Sequence, residues 1–245
     1  MEFITAGDII CQVGGDTVTE IYIDIPISIE PIDDPNCIIG HSKQIISEMA
    51  LNYQVENYPE GNWFIPKFAA FGACPYVPDN YIMTLANLKT LCKSFGLIVC
   101  LQKEYPISPS SFSTNMISYY ETIIMEKIAK KPQDYDFDSN WTPPDFKICR
   151  IPDCGIVNDD IIGNLADICI SYIKRRIPIF IHCWGGHGRA GTLAGIILAK
   201  MYRWTYLDIA KYLQTVHDYR ELHVPCLCPQ KQIQCDQINR FTTSY

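Results

Sequence analysis

Short segments with the length of a β-strand alternate with longer segments of helical periodicity along most of the chain. The strand-length segments lie at 63–65, 68–71, 97–101, 146–151 and 177–181. Those at 97–101 and 177–181 are almost continuously apolar, which is typical of strands that are buried on both faces. Strands that alternate with helices favour an α/β sandwich, in which helices flank a central and mostly parallel sheet.

Apolar residues at helical spacing predict the helices between these strands. The predicted helices span 82–95, 112–131, 161–172, 190–202, 205–217 and 229–241. Gly96 is well placed to end the first of them, and Asn158, Asp159 or Asp160 is a candidate cap for the third.

The first 60 residues follow a different pattern. The segment 8–25 contains Gly14-Gly15 between two strand-like stretches, which predicts a β-hairpin with a two-residue turn. A short helix is predicted over 42–51. We therefore expect an N-terminal extension (1–60) that packs on one large domain (61–245).

Composition and charge narrow the range of functions. Apolar residues make up 48% and charged residues 19% of the chain, as in a globular protein. The net charge of −7 makes a nucleic-acid partner unexpected, because phosphate backbones require clustered cations. No apolar stretch reaches the roughly 18 residues that a membrane span needs. Twelve cysteines without a signal peptide predict reduced thiols in a cytoplasmic protein.

The segment after the strand 177–181 carries the candidate chemistry. It reads His182-Cys-Trp-Gly-Gly-His-Gly-Arg189 and leads directly into a helix. Its three glycines allow the backbone N–H groups to point at one anion, and the helix adds the positive end of its dipole. The same environment favours a thiolate at Cys183, and Arg189 can hold two phosphate oxygens in a fork. The expected phosphate-binding residues are Trp184, Gly185, Gly186, His187, Gly188 and Arg189.

These residues resemble the signature of the protein tyrosine phosphatase superfamily, which is His, Cys, five residues and Arg, followed by Ser or Thr and Gly. The matching positions are His182, Cys183, Gly186, Gly188, Arg189 and Gly191. Sulfurtransferases and arsenate reductases share this loop geometry, but the glycines and a candidate general acid favour a phosphatase. The resemblance covers roughly 60–245 and is strongest to dual-specificity members, whose opening strand is similar to 62–66. It implies a phosphocysteine intermediate, no cofactor and no metal.

A general acid must protonate the oxygen that leaves, and a base must then activate water. In the superfamily this residue is an aspartate on a loop before the signature strand, often after a proline, and Asp153 in Ile151-Pro152-Asp153 fits. Asp159 and Asp160 suit helix capping better. The resemblance also implies that His182 supports the loop.

Two glutamines resemble the late glutamine-bearing segment of the family. Gln230 or Gln234 is a candidate to position the hydrolytic water, although an ordinary helix start explains both residues nearly as well.

One residue departs from the family pattern. Ala190 stands where most members have a Ser or Thr whose hydroxyl stabilises the departing thiolate. We therefore expect slow hydrolysis of the phosphocysteine. Thr192 is not expected to substitute, because side chains two residues apart on a helix do not face each other.

The expected substrates are phospho-Tyr and phospho-Ser/Thr in proteins. The alternatives are a phosphoinositide, an RNA 5′-phosphate, or a catalytically weak phosphate-binding module. His223, Cys226 and Cys228 are metal-ligand types, but they lack a second ligand pair at suitable spacing, so a packed loop without metal is favoured.

Overall fold

The structure is a computed structural model. It describes residues 54–103, 127–138, 140–222 and 224–243. The predicted hairpin 8–25, the predicted helix 42–51 and most of the predicted helix 112–131 lie outside these residues. Within the described part, no helix is both long enough and apolar enough to cross a membrane.

Five strands form one sheet. They are β1 (Gly61–Ile65), β2 (Ala69–Gly72), β3 (Leu97–Gln102), β4 (Asp145–Ile151) and β5 (Ile179–His182). Their order is β1-β2-β5-β3-β4, and every neighbouring pair is parallel except β1 and β2. The mostly parallel sheet is therefore confirmed. The antiparallel pair follows from chain length, because the short link between β1 and β2 cannot cross over to a parallel position.

Five α-helices accompany the sheet in the described residues. They are α1 (Tyr81–Ser94), α2 (Asp159–Lys174), α3 (Gly188–Tyr202), α4 (Tyr206–Asp218) and α5 (Gln232–Thr242). A single 3₁₀ turn spans Pro132–Tyr135. Asn158 is the cap of α2, since its side chain accepts a hydrogen bond from the Asp160 amide at 2.7 Å.

Most boundaries lie within two residues of the sequence-based prediction, and two of the differences have a clear local cause. Strand β5 begins at Ile179 rather than 177, because Pro178 has no N–H to donate to a neighbouring strand. Helix α5 begins at Gln232 rather than 229. The Lys231 amide donates to Gln234 Oε1 at 3.1 Å, which makes Lys231 the cap of this helix.

Helix α3 is the centre of one side of the sheet. All its residues from Gly188 to Ala199 are buried, and it packs against α2, α4 and α5. A helix that is apolar on all sides requires such surroundings. The loop that precedes α3 is thus attached to the most enclosed element of the described fold.

Aromatic rings fill the other side of the sheet. Phe180 of β5 is fully buried, and its ring lies 5.3 Å from that of Tyr58 and 5.2 Å from that of Phe95. Val55 belongs to the same cluster. Val55 and Tyr58 fall within the predicted extension 1–60, so the end of that segment contributes to the core.

We expect Phe180→Ala to lower the free energy of unfolding by about 3–5 kcal/mol, because it leaves a cavity beneath the central strand. Urea unfolding measures the change. The control is Ile82→Ala on α1, where the side chain is 80% exposed and the expected change is below about 0.5 kcal/mol. Equal effects of the two substitutions would contradict this description of the core.

Candidate active site

A pocket of about 190 Å³ opens at the carboxyl end of β5, where the chain passes into α3. Ligand sites in open α/β sheets form at this end of the strands. Cys183 follows the last residue of β5 and is only 3% exposed, yet it lines the pocket. The lining residues are Asp153, Cys154, Cys183, Trp184, Gly185, His187, Gly188, Arg189, Gln230 and Gln234.

Gly186 turns the loop at a point of close contact with β2. Its φ is +75°, and a Cβ at this position would lie 2.2 Å from the carbonyl carbon of Gly72. The Cys74 amide also donates to the Trp184 carbonyl at 2.9 Å, which ties the loop to the same segment. Only glycine fits both the backbone angle and the space. Gly186 does not itself line the pocket, unlike the other residues of the expected phosphate-binding set.

Arg220 holds the loop in place through hydrogen bonds to backbone carbonyls. Its role was not identified from the sequence. Its guanidinium is buried and donates to the carbonyls of Gly186 (2.8 Å) and Phe71 (3.1 Å). Burial lowers the pKa of Arg220, while the sulfur atoms of Cys228 and Cys183 act in the opposite direction. An arginine remains charged at neutral pH, so a second positive charge lies near Cys183. The polar turn that contains Arg220 gave no sign of burial.

Arg189 and Asp153 meet at the edge of the pocket. Arg189 is 2% exposed, and it donates one hydrogen bond to the Ile151 carbonyl (3.1 Å) and another to Asp153 Oδ1 (3.0 Å). The Asp153 side chain is 69% exposed, so its carboxylate remains accessible from solvent. An anion that binds to this guanidinium therefore lies beside a carboxyl group.

His182 lies behind the loop and does not line the pocket. It is fully buried, and this burial lowers the pKa of its imidazole to about 4. The positive charge of Arg189 also lowers the pKa of His182, whereas a hydrogen bond with the Cys183 backbone raises it. The ring is therefore neutral at physiological pH. The supporting role expected for His182 from the sequence stays a prediction.

The two candidate glutamines line the pocket in different ways. Gln234 is buried, donates to the Gly155 carbonyl at 3.2 Å and accepts from the Lys231 amide, so its amide holds neighbouring backbone. Gln230 Oε1 lies 3.6 Å from Cys154 Sγ. A thiol is a weak donor, so the Gln230 amide is held less firmly than that of Gln234.

Asp159 and Asp160, the rival acids, lie outside the lining of the pocket, as do Ala190 and Thr192. Asp159 accepts two hydrogen bonds from Arg240, at 2.6 and 2.8 Å, and these bonds lower the pKa of its carboxyl group. Asp160 is exposed in the first turn of α2. Ala190 is fully buried, and the Thr192 hydroxyl donates to the Gly188 carbonyl at 2.9 Å.

Comparisons with known proteins identify the fold. No family model matches the chain, and no curated protein matches it either. The crystal structure of Tk-PTP in its active form is similar over 77% of this chain and 99% of its own, with 16% identity and a TM-score of 0.50. Two further structures have lower scores. TpbA of P. aeruginosa has 12% identity, a TM-score of 0.43 and coverage of 66% and 76% of the two chains.

The second is OH1 of the Orf virus, a tyrosine phosphatase with triple substrate specificity. It has 13% identity, a TM-score of 0.41 and coverage of 82% and 97% of the two chains. The likeness to Tk-PTP shows that the chain has a protein tyrosine phosphatase-like α/β fold.

We expect Gly186→Ala to destabilise the protein. The left-handed backbone alone costs an alanine roughly 1–2 kcal/mol, and the contact with Gly72 backbone adds to this cost. The free energy of urea unfolding measures the loss. Gly163→Ala on α2 is the matched control, because its new methyl group meets only the Phe241 ring, at 3.1 Å, and alanine favours the helix. A variant Gly186→Ala as stable as Gly163→Ala would contradict the close contact.

Proposed function

We propose that this protein is a cysteine-dependent phosphatase that hydrolyses phosphate monoesters, with Cys183 as the nucleophile. One observation carries the proposal. The sulfur of Cys183, the guanidinium of Arg189 and the carboxyl group of Asp153 line a single pocket. Nucleophile, anion-binding group and proton donor are the three parts that this reaction needs.

In the first step, Arg189 binds two phosphate oxygens and the Cys183 thiolate attacks phosphorus. An S–P bond forms while the P–O bond to the leaving group breaks, and Asp153 donates its proton to the departing oxygen. The N-terminus of α3 and the buried charge of Arg220 place positive potential near the Cys183 sulfur, which stabilises the negative charge of the bound phosphate.

In the second step, water attacks the phosphocysteine. The Asp153 carboxylate accepts a proton from the water, the S–P bond breaks, and Cys183 returns as a thiolate. Gln230 is the better placed of the two glutamines to orient this water, because the Gln234 amide is already bonded to backbone. Ala190 supplies no hydroxyl to stabilise the departing thiolate, so this step is the slow one.

The substrate in this proposal is a phosphorylated protein, with both phospho-Tyr and phospho-Ser/Thr accepted. Among the described residues that line the pocket, Arg189 carries the only permanent positive charge. A single guanidinium suits one phosphate group better than the several phosphates of a polyphosphoinositide. Trp184 is 44% exposed in the lining and offers an aromatic surface to the rest of the substrate. Phosphoinositides with one phosphate on the ring and RNA 5′-phosphates are the alternatives.

The second candidate is a phosphate-binding module with little turnover, and one contact favours it. Arg189 already holds Asp153 through a hydrogen bond, whereas the acid role requires the Asp153 carboxyl group to protonate the leaving group. If the protein is a catalyst, bound phosphate replaces Asp153 as the partner of the Arg189 guanidinium, and Asp153 is released. Measured turnover distinguishes the two candidates.

We expect Cys183→Ser to abolish phosphatase activity and Asp153→Ala to lower kcat/KM for phosphotyrosine by about 10²–10⁴-fold. The loss of kcat/KM in Asp153→Ala should be larger with phosphotyrosine than with p-nitrophenyl phosphate, because kcat/KM reports the first step and the poorer leaving group depends more on protonation. Steady-state assays with both substrates measure this difference. The control Asp160→Asn changes an exposed carboxylate outside the pocket and should keep wild-type rates.

If the wild-type protein had no more phosphatase activity than Cys183→Ser, the catalytic proposal would be wrong and the phosphate-binding module would be favoured. Equal losses of kcat/KM for the two substrates in Asp153→Ala would exclude Asp153 as the acid.

We expect Ala190→Ser to raise steady-state turnover, because the new hydroxyl can donate to the departing thiolate. The wild type should show a burst of p-nitrophenol before the steady state, and the variant a smaller one. Rapid-mixing kinetics measure both phases. Ala199→Ser is the matched control, since it adds a hydroxyl to a buried position near the other end of α3. An unchanged rate with no burst would show that breakdown of the intermediate is not limiting.

A further inference from the structure

Three potential metal ligands from separate parts of the chain converge beside the loop. His187, His217 and Cys226 each bring one ligand atom within 4.8 Å of those of the other two. His187 belongs to the loop before α3, His217 lies near the end of α4, and Cys226 follows in the segment that leads to α5. The two imidazole rings meet edge to face with their centres 5.7 Å apart, and Cys226 Sγ lies 3.8 Å from His217 Nε2.

Hydrogen bonds determine which ring nitrogen of each histidine can bind a metal. His187 Nδ1 lies 3.0 Å from the Gly185 carbonyl oxygen, and His217 Nδ1 lies 3.0 Å from Asp218 Oδ1. A carbonyl or carboxylate oxygen only accepts, so Nδ1 of each ring must donate. The lone pair of each neutral ring is then on Nε2. Metal-binding histidines commonly have their other nitrogen held by such a carbonyl or carboxylate.

We propose that His187, His217 and Cys226 form a zinc site that ties the loop to α4 and to the segment before α5. Two imidazole nitrogens and a thiolate are donors that zinc prefers, whereas magnesium and calcium prefer oxygen. Three protein ligands leave one tetrahedral position for water or another donor.

The distances are compatible with this metal after small side-chain movements. Usual zinc–nitrogen and zinc–sulfur bond lengths place tetrahedral ligand atoms about 3.3–3.6 Å apart. The sulfur–nitrogen separation of 3.8 Å is close to this range. At the upper limit of 4.8 Å, the remaining atoms must approach by up to about 1.5 Å, which rotations of the partly exposed His187 and Cys226 side chains can supply around the buried His217. The Cys226 thiol must lose its proton when the metal binds.

The proposed ligands differ from His223, Cys226 and Cys228, the set that the sequence analysis considered and disfavoured. Of that set, His223 lies outside the described residues, and the Cys228 thiol is directed to the His187 carbonyl, at 3.4 Å. Cys226 is retained, but its partners are His187 and His217. His187 is distant in sequence from His217 and Cys226, so no local spacing of ligands indicates the set of three.

Zinc binding by the full-length Cys183→Ser protein tests the proposal, because this background removes the thiol in the pocket and its result does not depend on phosphatase activity. Competition with a chromophoric zinc chelator measures stoichiometry and affinity. We expect one tightly bound zinc ion per chain. The additional substitution Cys226→Ser should weaken binding by at least about 10–100-fold, the loss typical even of outer-sphere changes. Cys235→Ser, another half-buried cysteine, is the matched control and should bind as before.

Cobalt provides a second readout that reports the ligand itself. Co²⁺ in this site should give a thiolate-to-cobalt charge-transfer band, which Cys226→Ser removes and Cys235→Ser retains. Thermal unfolding without metal checks that both variants fold. Absence of a tight site, or equal zinc affinity of folded Cys226→Ser and Cys235→Ser proteins, would overturn the proposal. Loss of phosphatase activity in the wild type would leave this test unaffected.

Discussion

The arrangement of the pocket depends on one close contact, where the loop between β5 and α3 presses against the end of β2. Gly186 makes this possible because a side chain would collide with the Gly72 backbone. Arg220 holds the two segments together through carbonyls of both. The loop therefore has little freedom to relax, and Cys183 stays at the base of the pocket. A buried guanidinium is costly to desolvate, and its two backbone acceptors offset that cost.

The same constraint explains how one short loop combines several chemical roles. Helix α3 is buried along most of its length, so the direction of its N-terminus is determined by packing on all sides. The loop ends on this helix, and Arg189 in its first turn is oriented by the Ile151 carbonyl at the end of β4. Two neighbouring parts of the fold, β4 and α3, thus position the guanidinium and the Asp153 carboxyl group relative to the sulfur.

The Arg189–Asp153 pair links binding to proton transfer in the proposed reaction. Without phosphate, the carboxylate neutralises the guanidinium at the mouth of the pocket. In the proposed reaction, bound phosphate gives the guanidinium a more highly charged partner and releases Asp153 for the role of acid. The proposed zinc site holds the same loop through His187. It would therefore make the loop more rigid without contributing to the Arg189–Asp153 pair.

Local patterns in the sequence were sufficient for most of the described elements, because helical periodicity and apolar runs reflect burial directly. Two of the boundaries that differed have a local cause: Pro178 lacks an N–H before Ile179, and a side chain caps the helix that begins at Gln232. The contiguous segment 182–189 was recognisable because its residues act on one anion together. Its role and that of Asp153 remain predictions.

Only the tertiary structure decided which distant residues meet. Arg220 was missed because nothing in a polar turn distinguishes a buried arginine from a solvated one. The contact of His187 with His217 was also missed, because it arises from the packing of α3 against α4. The sequence by itself determined most of the elements and predicted the chemistry of the loop, because both depend on local patterns. The support of the loop and the candidate metal ligands are non-local, so they required the folded arrangement of the chain.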